Sequence, residues 1–390
     1  MSVKSFKIQI LATVLDDLQE RLERTRWPDE IRGAGWDYGT NLDYLKSLVD
    51  YWHNQFDWRA QEAKLNQLAQ FRADVNGFGI HFIHERGKGS SPLPIILSHG
   101  WPDSFFRMYK IIPLLSDPAS HGGDPADSFD VVVPSLPGFG FSDRPTENGF
   151  TSQRIAELFA KLMRDELGYT RFGAHGGDRG SGVTEQLASH YTASLVGIHL
   201  TDIPFYHLFT VPQEDLSEAE RQYLELGKQW QIEEGAYGLI QATKPQSLAY
   251  GLHDSPAGLA GWIVEKFRSW SDCDGDVEKR FTKDELLTNL TIYWATETIN
   301  SSCRAYYDEQ HNQPQEAEKR IEVPTGVAIF PRDPISAPRD YAERFFNVQR
   351  WAAMPRGGHF AALEEPDLLA EDIRAFFRPL RDSTLAELKK

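Results

Sequence analysis

Short apolar runs, each closed by a glycine or a polar turn, constrain the fold of this chain more than any other feature. They begin near residue 78 and read Gly79-Ile80-His81-Phe82-Ile83, Pro94-Ile95-Ile96-Leu97, Asp130-Val131-Val132-Val133 and Arg171-Phe172-Gly173-Ala174. Between them lie segments with helical spacing, notably 151–167, where Ile155, Leu158, Phe159 and Leu162 share one face. Buried strands alternating with helices predict a mostly parallel sheet with helices on both faces. The rhythm stops between about 204 and 320, where the pattern is helical and rich in Trp, Tyr and Glu. It resumes at Gly326-Val327-Ala328-Ile329-Phe330 and around Val348 to Met354. A helical insertion inside a strand–helix domain predicts a lid over the site made by the strand ends.

The first 90 residues have another texture. A helix is predicted from Leu11, Val14, Leu15, Leu18 and Leu22, followed by Trp27, Trp36, Tyr38, Tyr44, Tyr51, Trp52, Phe56 and Trp58. These aromatics are read as packing surface that needs burial, so this zone should wrap the core and touch the lid. The expected division is an N-terminal extension (1–90), a core of eight strands (91–203 and 321–390) and a helical cap (204–320). A net charge of −16 with no basic cluster argues against a nucleic-acid or anionic-membrane partner. Two cysteines, Cys273 and Cys303, make no disulfide framework and read as free thiols in a reducing compartment. Residues 1–10 lack the apolar segment of a signal peptide, and no stretch nears the ~20 apolar residues of a spanning helix. A soluble, cytoplasmic protein without a membrane anchor is expected. Asp272-Cys273-Asp274-Gly275-Asp276 has carboxylates at calcium-loop spacing, but Val277 and Lys283 stand where the loop needs Gly and Glu. It is read as a solvated acidic turn.

The chemistry concentrates where predicted strands end. Arg171 to Gly182 reads RFGAHGGDRGSG, an apolar strand entering Gly176-Gly177-Asp178-Arg179-Gly180, then a helical pattern through Val183, Leu187 and Tyr191. Strand, sharp turn and helix are the setting of a nucleophile elbow, with Asp178 in place of a serine. Alone, the segment fits equally an aspartate capping a helix after a glycine turn. Three further segments favour the first reading. His99-Gly100-Trp101-Pro102 follows the strand Ile95–Ser98, where one backbone N–H of an oxyanion hole would come from Trp101 and the other from Arg179. Phe330-Pro331-Arg332-Asp333 ends one strand, and Gly357-Gly358-His359-Phe360 follows the next. The chain order Asp178, Asp333, His359 is that of nucleophile, acid and histidine in the α/β-hydrolase fold.

A carboxylate nucleophile is already ionised near neutral pH and suits substitution at saturated carbon, giving an alkyl ester. His359, oriented by Asp333, would then deprotonate a water that attacks the ester carbonyl. Epoxides and alkyl halides both fit; the first needs a proton donor for the ring oxygen, the second a halide cradle.

Over nearly its whole length the chain resembles the microsomal-type branch of epoxide hydrolases. The resemblance rests on Thr25-Arg26-Trp27-Pro28-Asp29, Trp36-Asp37-Tyr38-Gly39, Phe56-Asp57-Trp58-Arg59, His99-Gly100-Trp101-Pro102 and Arg356-Gly357-Gly358-His359-Phe360-Ala361-Ala362. It implies a vicinal diol as product, water as co-substrate, no cofactor or metal, and a homodimer. It also implies two cap tyrosines that donate to the epoxide oxygen. Gly235-Ala236-Tyr237-Gly238-Leu239-Ile240-Gln241 carries the first role to Tyr237. The stretch from Tyr293-Trp294 to Ala305-Tyr306-Tyr307-Asp308 carries the second to Tyr306, with Tyr307 as alternative. A phenol keeps its proton at neutral pH until an alkoxide forms. Arg179 departs from the tryptophan often found after the nucleophile. Asp-Arg also resembles fluoroacetate dehalogenases, whose second arginine, four residues after the nucleophile, is here Gly182. A haloalkane or haloacid dehalogenase and an inactive hydrolase-fold binding protein are the alternative readings.

Overall fold

Nine strands form one sheet in the order β1-β2-β3-β5-β4-β6-β7-β8-β9 in the computed structural model, which describes residues 3–211, 214–312 and 319–387. They are β1 (Lys4–Ser5), β2 (Gln70–Val75), β3 (Phe78–Glu85), β4 (Leu93–Ser98), β5 (Phe129–Pro134), β6 (Phe172–Gly176), β7 (Leu195–Leu200), β8 (Ile321–Ile329) and β9 (Phe346–Ala353). From β5 to β9 all neighbours run parallel, and β1, β2 and β3 add an antiparallel edge. The sheet thus has one strand more than the eight expected, and it draws β1, β2 and β3 from before residue 91. The β2–β3 hairpin closes through Asn76-Gly77, both with positive φ (55° and 79°), the backbone a two-residue turn requires.

Successive residues of a strand point to opposite faces, and two buried clusters follow from that alternation. Ile96, Val132, Ala174, Ile198 and Val327 pack on one side with Ile155, Phe159, Val183 and Leu187 of the helices Ser152–Lys161 and Arg179–His190. Ile95, Leu97, Val131, Val133, Val196 and Ala328 pack on the other with Ile111, Leu115, Ile373 and Phe377 of the helices Ile111–Ser116 and Pro366–Glu387. This is the α/β-hydrolase fold. The chain passes from β4 to β5 on one side and returns to β6 on the other. Such a reversal opens a crevice at the C-terminal ends of β4 and β6.

Between β7 and β8 the described residues hold helices and turns and no strand. Reciprocal caps start two of these helices: Ser217 with Glu220, and Thr282 with Glu285. The N-terminal helices lie against them. Trp52 Nε1 donates to Thr291 Oγ1 (3.1 Å), Thr40 Oγ1 to Gly261 O (2.6 Å), and Arg21 pairs with Asp254 (2.6 Å). Trp52 and Trp58 are buried, whereas Tyr38 is exposed. Among the described residues no helix is long and apolar enough to cross a membrane.

Candidate active site

Five loops leave the C-terminal ends of β4, β6, β7, β8 and β9 and converge on one crevice. The β6 loop turns so sharply that Asp178 sits at φ 56°, ψ −130°, a conformation that non-glycine residues hold only under constraint. Two glycines permit the turn. A Cβ at Gly176 would lie 2.0 Å from Gly180 O, and one at Gly180 would lie 2.1 Å from Ser98 O. The Asp178 side chain makes no capping bond to the helix behind it, so the helix-cap alternative does not describe its contacts. Its backbone N–H donates to Asp202 Oδ2 (2.7 Å), and Ser181 Oγ donates to Asp202 Oδ1 (2.6 Å). Asp202, at the end of β7, therefore pins the strained turn.

The Asp178 carboxylate faces the crevice. Its Oδ1 accepts from the Trp101 N–H (2.8 Å), and its Oδ2 lies 3.4 Å from His359 Nε2. On the far side of the ring, His359 Nδ1 meets Asp333 Oδ1 at 2.9 Å. Burial alone would raise the Asp178 pKa. The His359 hydrogen bond and charge, with the N–H groups of Trp101 and Arg179, hold it below the usual carboxylate value. For His359 burial opposes the charge, but the charge of Asp333 and the hydrogen bonds to Asp178 and Asp333 outweigh it, and the pKa is pushed up to about 10. The imidazole is thus protonated at neutral pH and lies between two carboxylates.

A cavity of about 660 Å³ opens above them, walled by Tyr237, Trp270, Tyr306, Trp230, Phe205 and Ile335. Tyr237 stacks on the Trp101 ring (5.1 Å between centroids, 9° between planes), and Tyr306 meets the same ring edge-on at 5.9 Å. Burial first, and then surrounding charge that includes Asp178, raises both phenols above their ordinary pKa. Tyr307 is turned away: it lines an outer groove and stacks on His311 at 4.0 Å. The fold therefore brings together Asp178, Trp101, Arg179, His359, Asp333, Tyr237 and Tyr306, and leaves Tyr307 outside. Among the described residues no cluster of His, Cys, Asp or Glu could hold a metal ion.

Several supporting residues escape a reading by sequence. Asp103 Oδ1 accepts the Gly100 N–H (3.0 Å) and its Oδ2 pairs with Arg107 (2.6 Å), whose other nitrogen donates to the His359 carbonyl. Buried Glu364 accepts the N–H groups of Asp272 (2.8 Å), Gly358 (3.1 Å) and Phe360 (3.0 Å). Asp272 is no solvated turn residue: its Oδ2 takes the Gly357 N–H (2.9 Å) and pairs with Arg280 (2.9 Å), whereas Asp274 and Asp276 are exposed. The loop that holds His359 is thus tied to the cap and to the loop after β4.

Comparison with known proteins gives consistent matches. A family profile described as "Epoxide hydrolase N terminus" matches residues 3–108, and one described as "alpha/beta hydrolase fold" matches residues 94–366. The chain is 44% identical over 380 residues to a Stigmatella aurantiaca protein named as a candidate epoxide hydrolase, covering 97% of this chain and 86% of that one. It is 37% identical over 408 residues to epoxide hydrolase 1 of Sus scrofa, covering 96% and 88%. The crystal structure of juvenile hormone epoxide hydrolase from the silkworm Bombyx mori superposes with a TM-score of 0.88 at 30% identity, covering 98% of this chain and 96% of that one.

Proposed function

The chain belongs to the epoxide hydrolases of the α/β-hydrolase fold, and from that premise we propose that it opens epoxides through a covalent ester on Asp178. The observation that carries this reading is the placement of one carboxylate between a backbone N–H, an imidazolium and a cavity walled by two phenols. An Asp178 oxygen attacks an epoxide carbon, the ring C–O bond breaks, and the oxygen takes a proton from Tyr237 or Tyr306. The charge of Asp178 is consumed in the ester. His359 then loses one of the interactions that raised its pKa, and its proton returns to the tyrosinate. The neutral imidazole removes a proton from water as the water attacks the ester carbonyl. Trp101 and Arg179 N–H groups hold the oxyanion. Collapse expels the diol oxygen, which takes the proton from His359. The Asp178 acid then reprotonates the imidazole and the resting ion pair is restored.

Replacing His359 by Gln separates the two halves. With an aryl epoxide such as styrene oxide, His359→Gln should consume one equivalent per site and gain the epoxide's mass on the peptide that contains Asp178. Asp178→Ala should do neither. In ¹⁸O-labelled water the first diol from wild-type protein should carry unlabelled oxygen and leave the label in Asp178. A labelled first diol over an unlabelled Asp178 overturns the ester route. Chloride release from a haloalkane or haloacid, without diol from epoxides, would favour a dehalogenase instead. That reading lacks support at Arg179, whose guanidinium is already paired with Glu309 at 3.3 Å.

A further inference from the structure

We propose that Arg179 is a positioning residue for ring opening, fastening the cap helix that carries Tyr306 to the first turn of the helix behind Asp178. The inference rests on the roles proposed above for Asp178 and Tyr306. The Arg179 backbone faces the nucleophile, and its side chain, only 9% exposed, runs along the cavity wall beside Tyr306 and Glu309. One guanidinium nitrogen donates to Ala305 O at 3.2 Å, and another to Glu309 Oε2 at 3.3 Å. Ala305 and Glu309 are four residues apart on the helix Ile299–His311, so they lie one turn apart on one face and bracket Tyr306. The guanidinium carbon lies 5.6 Å from the centre of the Tyr306 ring.

Glu309 is itself held from the core. The same Oε2 accepts the Ser152 N–H and the Ser152 Oγ–H, both at 2.9 Å, and Ser152 opens the core helix Ser152–Lys161. Two core helices thus grip one turn of the cap through a single carboxylate, and Arg179 supplies the positive charge that offsets it. A planar guanidinium holds two acceptors in one geometry, which lysine and neutral side chains do not reproduce. Its charge against the ring also favours a phenol that gives up its proton, because a cation stabilises the charge developing on oxygen. With Glu309 and Ala305 as partners of its two terminal nitrogens, Arg179 is a strut between core and cap.

The test isolates ring opening by measuring the rate of mass-adduct formation with styrene oxide in a His359→Gln background, where the ester cannot turn over. Arg179→Met should slow this step roughly ten-fold, a fraction of the ~10²–10⁴ a positioned acid contributes. Arg179→Lys should restore part of the loss. In a Tyr306→Phe background the Arg179→Met change should have little further effect, because the group it positions is gone. Ester hydrolysis, followed in single turnover in Glu309→Gln with His359 intact, should keep its rate. Should Arg179→Met fail to fold, Glu309→Gln is read the same way, with a smaller slowing that Tyr306→Phe again erases. Equal slowing with and without Tyr306 overturns the strut while leaving the ester reading intact. Slowing of ester hydrolysis as well, or a loss confined to epoxides that bear a carboxylate, overturns it too. If Tyr306→Phe alone leaves adduct formation unchanged, the role of Tyr306 falls and the inference falls with it. If His359→Gln forms no adduct, the ester reading has failed first.

Discussion

His359 holds its proton at rest because the carboxylates on its two sides outweigh the burial that would strip it. Ester formation would neutralise Asp178 and leave only Asp333, so the first half-reaction would itself prepare the base for the second. Asp178→Asn copies that change of charge. In this variant the imidazole pKa should fall from about 10 towards its ordinary value of 6.5, read by NMR titration of the His359 ring. A pKa that stays near 10 would mean that Asp333 alone retains the proton. Asp178, Asp333 and His359 were legible in the sequence because each follows an apolar run in the required order. Tyr306 and Tyr307 were not separable, since neighbours on a helix differ by about 100° in direction and only packing says which faces inward. Asp202 was missed for another reason. It follows Leu195–Leu200, a short apolar run that periodicity cannot assign to strand or helix, so the end of β7 went unread.

The elements that matter most to the site are its loops, and their mutual ties carry a cost if cut. Arg107 joins the loop after β4, through Asp103, to the loop after β9, through the His359 carbonyl. Both side chains are almost fully buried, and Asp103 is held at a pKa of about 2: burial would raise it, but Arg107 and His99 bring it down. Arg107→Met would leave a buried carboxylate without its cation, a change that costs about 3–5 kcal/mol. Urea denaturation should show that loss. The double change Arg107→Met with Asp103→Asn should recover part of it, since no uncompensated charge then remains. A single variant as stable as wild type would show that the pair holds geometry at no energetic penalty. Spacing could not reveal this pair, because Asp103 and Arg107 read as an ordinary charged pair on one helical turn. The Asn76-Gly77 turn, by contrast, is a strong hairpin signal. Reading it would have added β2 as the partner of the run Gly79–Ile83, already read as a strand, and moved the hairpin from the extension into the core.

Across the whole molecule, buried titratable groups pull stability in opposite directions on either side of neutrality. Burial is the leading cause for His81, His84 and His175, lowering their pKa values to about 3, about 4 and well below 6.5. Each stays neutral in the folded chain and takes up a proton on unfolding below pH 6.5, so stability falls as the pH drops from there. Glu364, Asp202 and Glu234 are raised, again by burial first, and work against that trend, Glu364 between about pH 7 and 4.5 and Asp202 between about pH 6 and 3.8. But Glu234 is partly exposed, and the three histidines outweigh the two enclosed carboxyls. The lowered carboxyls of Asp103 and Asp178 add to the acid loss only below their ordinary value of 3.8. His359 has the opposite sign. Its folded pKa of about 10 exceeds 6.5, so its contribution is complete below pH 6.5 and is lost at ~1.4 kcal/mol per pH unit as the pH rises towards 10. Stability should therefore peak near pH 6.5, and urea midpoints at pH 5, 6.5 and 9 would show it. In His359→Gln the fall from pH 6.5 to 9 should shrink, while the fall from 6.5 to 5 should persist because the other histidines remain. An alkaline fall of equal size in both proteins would place its source outside the imidazolium between Asp178 and Asp333.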